Sequence, residues 1–302
     1  MASILPSRYQ STEYGHSELI RNIGAALIIL MVFTAIVSAY TLRKGAVKEW
    51  VNQLDKLSLV IAGETEMVLE SGIFALNAIE KSIQPPPADI GHLQKIHPIE
   101  SNALELLSKS NQFGDEFLIL DREGSSIQSL SKSNKKIDLS IKKHLSLLHE
   151  NNSSREIIYS IAPQSPKDSQ KNLYLSQKII SHEGIFIGVI AVGIPTSSLL
   201  KIYTRINVND PQNQLMIGLY QSNGTLISGL SNATNLLDQE DLKILEQRSS
   251  GKQLFHLAMK SQVTNAEEEI SNTYLSAIRE VGSTPFFIKI QIPEEIYLAN
   301  WL

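Results

Sequence analysis

The sequence predicts an α+β protein in which one long helix leads into two tandem units, each built on an antiparallel sheet. Three observations support this prediction. An uncharged apolar run covers Ile23–Leu42, a helical pattern without a breaker continues from it to Gln84, and a strand–turn–strand pattern at Phe117–Leu130 aligns without gaps on Ile217–Leu230. Runs of strands that follow a helix, rather than alternating with helices, are typical of α+β folds.

The apolar run Ile23–Leu42 has the length of a membrane-spanning helix. Such a helix rises about 30 Å, the thickness of a bilayer's hydrocarbon core. The run is too long for the apolar part of a signal peptide, and no small-residue cleavage site follows it cleanly. We therefore expect an uncleaved anchor after a cytoplasmic tail, residues 1–22, with residues 43–302 outside the cytoplasm. Arg43 and Lys44 oppose this orientation under the positive-inside rule, which is weak for long domains.

A narrow helical seam follows the anchor and predicts a stalk helix. Its apolar positions alternate at spacings of three and four, as in coiled coils: Val47, Trp50, Leu54, Leu57 and Ile61. We expect Val47–Ile61 to pair in a parallel homodimer and the rest of the helix to pack on its own domain. Pro85-Pro86-Pro87 ends the helix.

The remaining pattern divides into two units near Asn207–Asn213. The first covers residues 43–206, stalk included, and the smaller second covers residues 207–293. Strands are predicted at Glu116–Leu120, Ser126–Leu130, Glu156–Ala162, Leu173–Ile180, Ile185–Ile194, Gln253–Met259, Thr273–Val281 and Phe286–Ile292. Helices are predicted at Ile99–Ser110, Lys136–Glu150, Pro195–Ile206, where Pro195 is the first helical residue, and Asp238–Gln247.

The last residues, 294–302, predict the start of a return helix. They are apolar and helical in pattern and include Trp301, a residue type common at membrane interfaces. We expect the natural protein to continue into a second membrane segment and a cytoplasmic domain.

Composition and motifs disfavour several classes of function. The net charge is -4, which gives no electrostatic case for nucleic acid, and the absence of cysteine excludes thiolate zinc sites, disulfides and thiol catalysis. The seven histidines show no metal-binding spacing, and the sequence has no P-loop. The pattern S-x-x-K of penicillin-recognising enzymes occurs three times in a Ser/Lys-rich chain without its companion motifs. We expect no enzyme activity, cofactor or metal.

The order of local motifs resembles the double Cache (PDC) sensor region of bacterial membrane receptors. Four segments carry the resemblance: Ile137–Ser140 (IDLS), Leu175–Ile179 (LSQKI), Gly184–Ile190 (GIFIGVI) and Tyr274–Ala299. The pattern is most similar to the version that precedes GGDEF diguanylate cyclases and hybrid histidine kinases.

The resemblance implies tandem PAS-like Cache units outside the bacterial inner membrane, a small-molecule ligand and a cytoplasmic cyclase or kinase output. The alternatives are a stand-alone adhesion or scaffold subunit and an external hydrolase. A cyclase or kinase domain encoded after Leu302 would exclude the stand-alone subunit.

The sequence departs from the family at the ligand site. Members that bind amino acids carry Arg-x-Trp-Tyr just after the segment that matches Ile137–Ser140, and an Asp in the strand before the connecting helix. Lys142 and His144 fall at the Arg and Trp positions, and Gly193 falls near the Asp. We therefore expect no amino-acid binding in the usual mode, and either a small anion held by Lys142 or no ligand.

The candidate ligand-binding residues come from the helix and strands that line the membrane-distal Cache pocket: Lys142, His144, Tyr159, Tyr174, Ser176 and Lys178. The alternative for each is an ordinary structural role, with tyrosines half-buried in a sheet and lysines solvated.

Overall fold

The structure, a computed structural model, contains a long helix and two five-stranded antiparallel sheets, which confirms the predicted α+β class. It describes residues 13–83, 105, 109, 113–132, 139–150, 156–163, 171–180, 184–207, 215–230, 237, 241, 243, 255–263 and 271–297. Several predicted features lie wholly or largely outside these residues: the tail before residue 13, the prolines 85–87, the helices at 99–110 and 238–247, the division at 207–213, and residues 298–302.

The helices and strands follow one another in this order: α1 (Glu13–Ser82), β1 (Glu116–Asp121), β2 (Ser126–Ser131), α2 (Leu139–Glu150), β3 (Ile158–Pro163), β4 (Lys171–Ile180), β5 (Phe186–Pro195), α3 (Thr196–Asn207), β6 (Met216–Gln221), β7 (Leu226–Leu230), β8 (Phe255–Val263), β9 (Ser271–Glu280), β10 (Phe286–Pro293) and α4 (Glu294–Tyr297). Pro195 ends β5, where it pairs with Asn172, and the helix begins at Thr196. The prediction that Pro195 is the first helical residue is therefore wrong by one position.

The chain forms two compact units, residues 54–293 and residues 1–53 with 294–302. In the second of these, α1 contains a window with a mean hydropathy of 2.4, none of it buried, and is long and apolar enough to cross a membrane. The predicted return helix begins directly after Pro293. Arg43, the residue that follows the apolar run, donates a hydrogen bond of 2.9 Å from Nη2 to Oε1 of Glu294.

The two sheets of the unit 54–293 have the same strand order, β2-β1-β5-β4-β3 and β7-β6-β10-β9-β8. The hairpins at the repeated pattern also match in their turns. Gly124 and Gly224 have φ angles of 78° and 85°, and their N–H groups donate to the carbonyls of Asp121 and Gln221 over 3.1 and 2.8 Å. Glycine adopts this left-handed conformation without steric cost, so both hairpins need it at the same place.

Two residues of the predicted helical seam, Leu54 and Ile61, are fully buried within the chain. Ser58 between them accepts a 2.9 Å hydrogen bond from Nε of Arg279 on β9. The prediction that Val47–Ile61 forms the dimer contact is therefore wrong for Leu54 and Ile61, and it stays a prediction for Val47, Trp50 and Leu57. Alternating spacings of three and four show that a helix has an apolar face but do not identify what covers it.

Candidate functional site

One face of the first sheet carries a row of buried polar side chains. Strand β4 places alternate residues on this face, because side chains in a strand point to opposite sides in turn. Asn172, Tyr174 and Ser176 are fully buried there, and Lys178 is 7% exposed. Helix α2 covers the same face, where Ile141 and Leu145 join Tyr174 in one apolar cluster.

Helix α2 also brings His149 to this face. His149 lies four residues after Leu145 and eight after Ile141, so the three share the side of the helix that is turned toward the sheet. Its Nε2 lies 2.9 Å from Oγ of Ser176, and that hydroxyl is 3.2 Å from the Ile158 carbonyl. When the Ser176 hydroxyl donates its only proton to the Ile158 carbonyl, it accepts a hydrogen bond from the protonated Nε2 of His149. In the neutral imidazole, Nδ1 then has no proton and is an acceptor.

Burial keeps His149 uncharged at neutral pH. The imidazole is 1% exposed, and its desolvation, helped by the nearby Lys178 charge, lowers the pKa of His149 to about 4. Nδ1 is buried and has no hydrogen-bond partner within the described chain. A buried nitrogen without a partner is costly, so this atom is a natural contact for a ligand or a water molecule.

A buried carboxylate lies at the other end of the row. Glu116 is fully buried, and its Oε2 accepts a hydrogen bond from the Tyr174 hydroxyl. Burial, together with the Glu116 charge, raises the pKa of Tyr174, so the hydroxyl stays protonated and donates.

Glu116 also corrects the expectation that this face lacks an acid. Glu116 of β1 pairs directly opposite Gly193 of β5. A Cβ on Gly193 would lie 3.3 Å from Oε2 of Glu116 and 2.9 Å from Cε1 of Tyr174. An acidic group is therefore present beside position 193, but it comes from the neighbouring strand.

Ser160 adds a further polar atom to this face. It pairs opposite Tyr174 across the β3–β4 ladder and therefore lies on the same side of the sheet. Its Oγ is buried and has no partner among the described residues. Ser160 and His149 thus each bring a buried polar atom with unused hydrogen-bonding capacity to the region between β3, β4 and α2.

The structure places three of the six predicted residues on one face of β4, one on the opposite face of the sheet and two on α2. Tyr174, Ser176 and Lys178 share the α2-facing side of β4. Tyr159 pairs opposite Leu175, on the other side of the sheet, where its ring meets Phe286 edge-on at 5.0 Å.

The other two predicted residues lie on α2. His144 is exposed, and Lys142 is half-buried. The backbone of Lys142 packs on the β1–β2 turn, since a Cβ on Gly124 would lie 3.2 Å from the Lys142 carbonyl oxygen. Whether the Lys142 side chain meets a ligand stays a prediction.

Sequence reasoning missed Glu116, His149 and Ser160. A weak signal existed for His149, which continues the apolar stripe Ile141–Leu145 of α2 at helical spacing. Glu116 opens an apolar strand, where a charged residue usually marks an exposed strand end. Its burial beside Gly193 depends on a pairing between residues far apart in the chain.

This row of buried polar side chains is the candidate binding site. It combines one carboxylate, one ammonium group, a neutral imidazole and hydroxyl groups on a mostly buried sheet face. Within the described residues, no group of three or more histidine, aspartate or glutamate side chains could hold a metal ion.

Comparison with solved structures identifies the class of fold. No family model and no curated protein matches the sequence. The extracellular domain of the histidine kinase rpHK1S-Z16 superposes with a TM-score of 0.60 at 17% identity, covering 84% of this chain and 99% of that one. The periplasmic sensory domain of the Campylobacter jejuni chemoreceptor Tlp1 has a TM-score of 0.55 at 11% identity over 84% and 98% of the chains.

A third similar structure is the ligand-binding domain of the C. jejuni chemoreceptor Tlp3 in complex with L-norvaline, with a TM-score of 0.53 at 16% identity over 84% and 94% of the chains. The chain thus has the fold of the extracellular sensory domains of histidine kinases and chemoreceptors. More specifically, this is the fold of a double Cache sensor region, as the motif order predicted.

Proposed function

We propose that the chain is the ligand-sensing input region of a bacterial membrane receptor. In this proposal, residues 23–42 anchor it in the inner membrane, residues 43–302 are periplasmic, and a diguanylate cyclase or histidine kinase is the cytoplasmic output. The observation that carries it is the buried polar row under α2, where His149 Nδ1 and Ser160 Oγ lack partners within the described chain. Polar atoms of this kind destabilise a fold unless a ligand or water satisfies them.

The charges of the site indicate a small ligand with an anionic group and a hydrogen-bond donor. Lys178 is the buried cation, Lys142 is the predicted one, and His149 Nδ1 accepts from a donor. The sequence argues against amino-acid ligands because Gly193 stands near the family's acidic position. Glu116 supplies a carboxylate beside Gly193 that could bind a ligand's ammonium group, so this argument no longer applies. Tlp3, which shares the fold, was solved with L-norvaline and with isoleucine. Amino acids therefore belong among the candidate ligands.

We propose that β4 transmits the signal from the site to α1. Ser176 and Lys178 face α2, whereas Gln177 between them points to the other side and donates a 3.3 Å hydrogen bond to Glu80 of α1. A shift of β4 on ligand binding therefore acts directly on α1, the helix that also contains the apolar anchor. We infer that ligand binding moves α1 and that the receptor works as a homodimer.

The proposal is tested by thermal unfolding of the full chain in detergent with small carboxylates, hydroxy acids, phosphates and amino acids. We expect at least one ligand with an anionic group to raise the unfolding temperature. Lys178→Met should weaken the effective ligand about ten- to a hundredfold, since a hydrogen bond to a charged group contributes about 1.5–3 kcal/mol.

Lys142→Ala tests the second cation, with the exposed neighbour substitution Lys143→Ala as its matched control. If no compound stabilises the protein, or if neither Lys178→Met nor Lys142→Ala weakens any effective compound, the ligand proposal is wrong. Stabilisation by uncharged compounds alone would also contradict it.

A further inference from the structure

We propose that the polar row under α2 binds a small 2-hydroxycarboxylate in preference to the amino acid of the same shape. These two ligands differ at the second carbon, which carries a neutral hydroxyl in one and a charged ammonium in the other. The inference deepens the proposed function and rests on it. Two features of the row discriminate between the groups: Tyr174 binds the Glu116 carboxylate, and Lys178 lies close to His149.

The Glu116 carboxylate is the group that attracts an ammonium, and the chain's own tyrosine already binds it. Glu116 and Tyr174 both pair directly opposite Gly193, one from each neighbouring strand. The Tyr174 hydroxyl donates to Oε2 of Glu116, and both residues are fully buried. A ligand ammonium at Oε2 must displace this hydroxyl, so the lost hydrogen bond offsets much of the attraction.

The missing side chain of Gly193 lets these two residues meet. A Cβ at position 193 would lie 2.9 Å from Cε1 of Tyr174, 3.2 Å from Cβ of Glu116 and 3.3 Å from Oε2 of Glu116. The Tyr174 ring and the Glu116 side chain therefore take up the space that a side chain at this position would need. The carboxylate is covered on this side, so Glu116 contributes little to ligand binding while Tyr174 is in place.

At the other end of the row, a positive charge disfavours an ammonium beside His149. Lys178 follows Ser176 by two positions on the same face of β4, and Oγ of Ser176 lies 2.9 Å from Nε2 of His149. Burial and, after it, the Lys178 charge lower the pKa of His149, because both oppose a positive charge on the ring. A ligand ammonium next to the ring meets the same repulsion, whereas a hydroxyl carries no charge.

The groups around His149 complement both polar groups of a 2-hydroxycarboxylate. Lys178 attracts the carboxylate, and Nδ1 of His149, which has no partner within the described chain, accepts a hydrogen bond from the hydroxyl. Ser160 lies on the same side of the sheet, and its buried Oγ, also without a partner among the described residues, donates to a ligand oxygen. One small molecule thereby satisfies buried polar atoms that otherwise lower the stability of the fold.

The test compares matched pairs of ligands by thermal unfolding of the full chain in detergent at pH 7. The pairs are L-lactate with L-alanine, L-malate with L-aspartate, and L-2-hydroxyisovalerate with L-valine. The rise of the unfolding temperature with ligand concentration gives each dissociation constant. We expect at least one hydroxy acid to bind about tenfold more tightly than the amino acid of its pair, since the difference is a contact to a charged group.

Substitution of Tyr174 tests the cause of this preference. Tyr174→Phe removes the hydroxyl that binds Glu116 but keeps the ring over Gly193, and should shift the ratio of the two affinities about tenfold toward the amino acid. Adding Glu116→Gln to Tyr174→Phe should cancel the shift, because the negative charge is gone. Tyr159→Phe is the matched control, because Tyr159 lies on the opposite side of the same sheet and should leave the ratio unchanged. A loss of stability alone weakens both ligands of a pair and does not move their ratio.

Equal or tighter binding of the amino acid in every pair, or a ratio that Tyr174→Phe leaves unchanged, would overturn the inference. The first comparison uses the wild type, so it decides even where Tyr174→Phe does not fold. If only phosphates or other compounds outside the pairs stabilise the chain, the proposed function stands and this inference is wrong. If no compound stabilises it, the proposed ligand-sensing function is itself wrong and the inference is wrong with it.

Discussion

Replacing His149 should change how the stability of the protein depends on pH. The pKa of His149 is about 4 in the folded chain against an ordinary value of 6.5. Between these values the unfolded chain binds more protons than the folded one, so the stability falls as the pH falls. From these two pKa values, acidification from pH 7 to pH 5 should lower the free energy of unfolding by about 2 kcal/mol. Below pH 4 the total loss should reach about 3 kcal/mol.

The measurement is urea unfolding of the full chain in detergent at pH 7 and pH 5, for the wild type and for His149→Gln. Glutamine cannot titrate, so the variant should lose about 2 kcal/mol less on acidification. His144→Gln is the matched control, because His144 is an exposed histidine on the same helix. Equal pH dependence for the wild type and His149→Gln would refute the account of His149 as a buried, neutral acceptor at the site.

Substitutions at two polar contacts test what stabilises the sheets. Lys289 and Asp241 form a fully buried ion pair. Either Lys289→Met or Asp241→Leu alone should therefore lower the free energy of unfolding by about 3–5 kcal/mol, whereas the double variant should lower it by much less. Additive losses of the two single variants in urea unfolding would contradict this expectation. Arg279→Ala removes hydrogen bonds to Ser58 and to the half-exposed Asp55 and should cost about 1.5–3 kcal/mol. An Asp55→Ala loss as large as that of Arg279→Ala would show that the Ser58 bond contributes nothing.

Features that depend on local spacing could be predicted from the sequence. The apolar, membrane-length part of α1, the unbroken helix that contains it and the matched hairpins follow from an uncharged run, a helical period and a glycine in the same place of two short patterns. Gly124 and Gly224 adopt the same turn because the residues around them impose the same pairing of neighbouring strands. Such pairing joins residues close in the chain, so the sequence contains the information needed to recognise it.

Tertiary structure decided which surface covers each apolar or polar face. Leu54 and Ile61 have the spacing of a dimer seam, yet both are buried against their own chain. The sequence predicts one site for Tyr159 and Tyr174, but the β3–β4 register places the two on opposite sides of the sheet. Glu116 reaches Gly193 only because β1 pairs with β5. The spacing of residues along a helix or strand shows that it has an apolar or polar face. Which surface packs on that face depends on contacts between segments that are distant in the chain, and no local pattern contains this information.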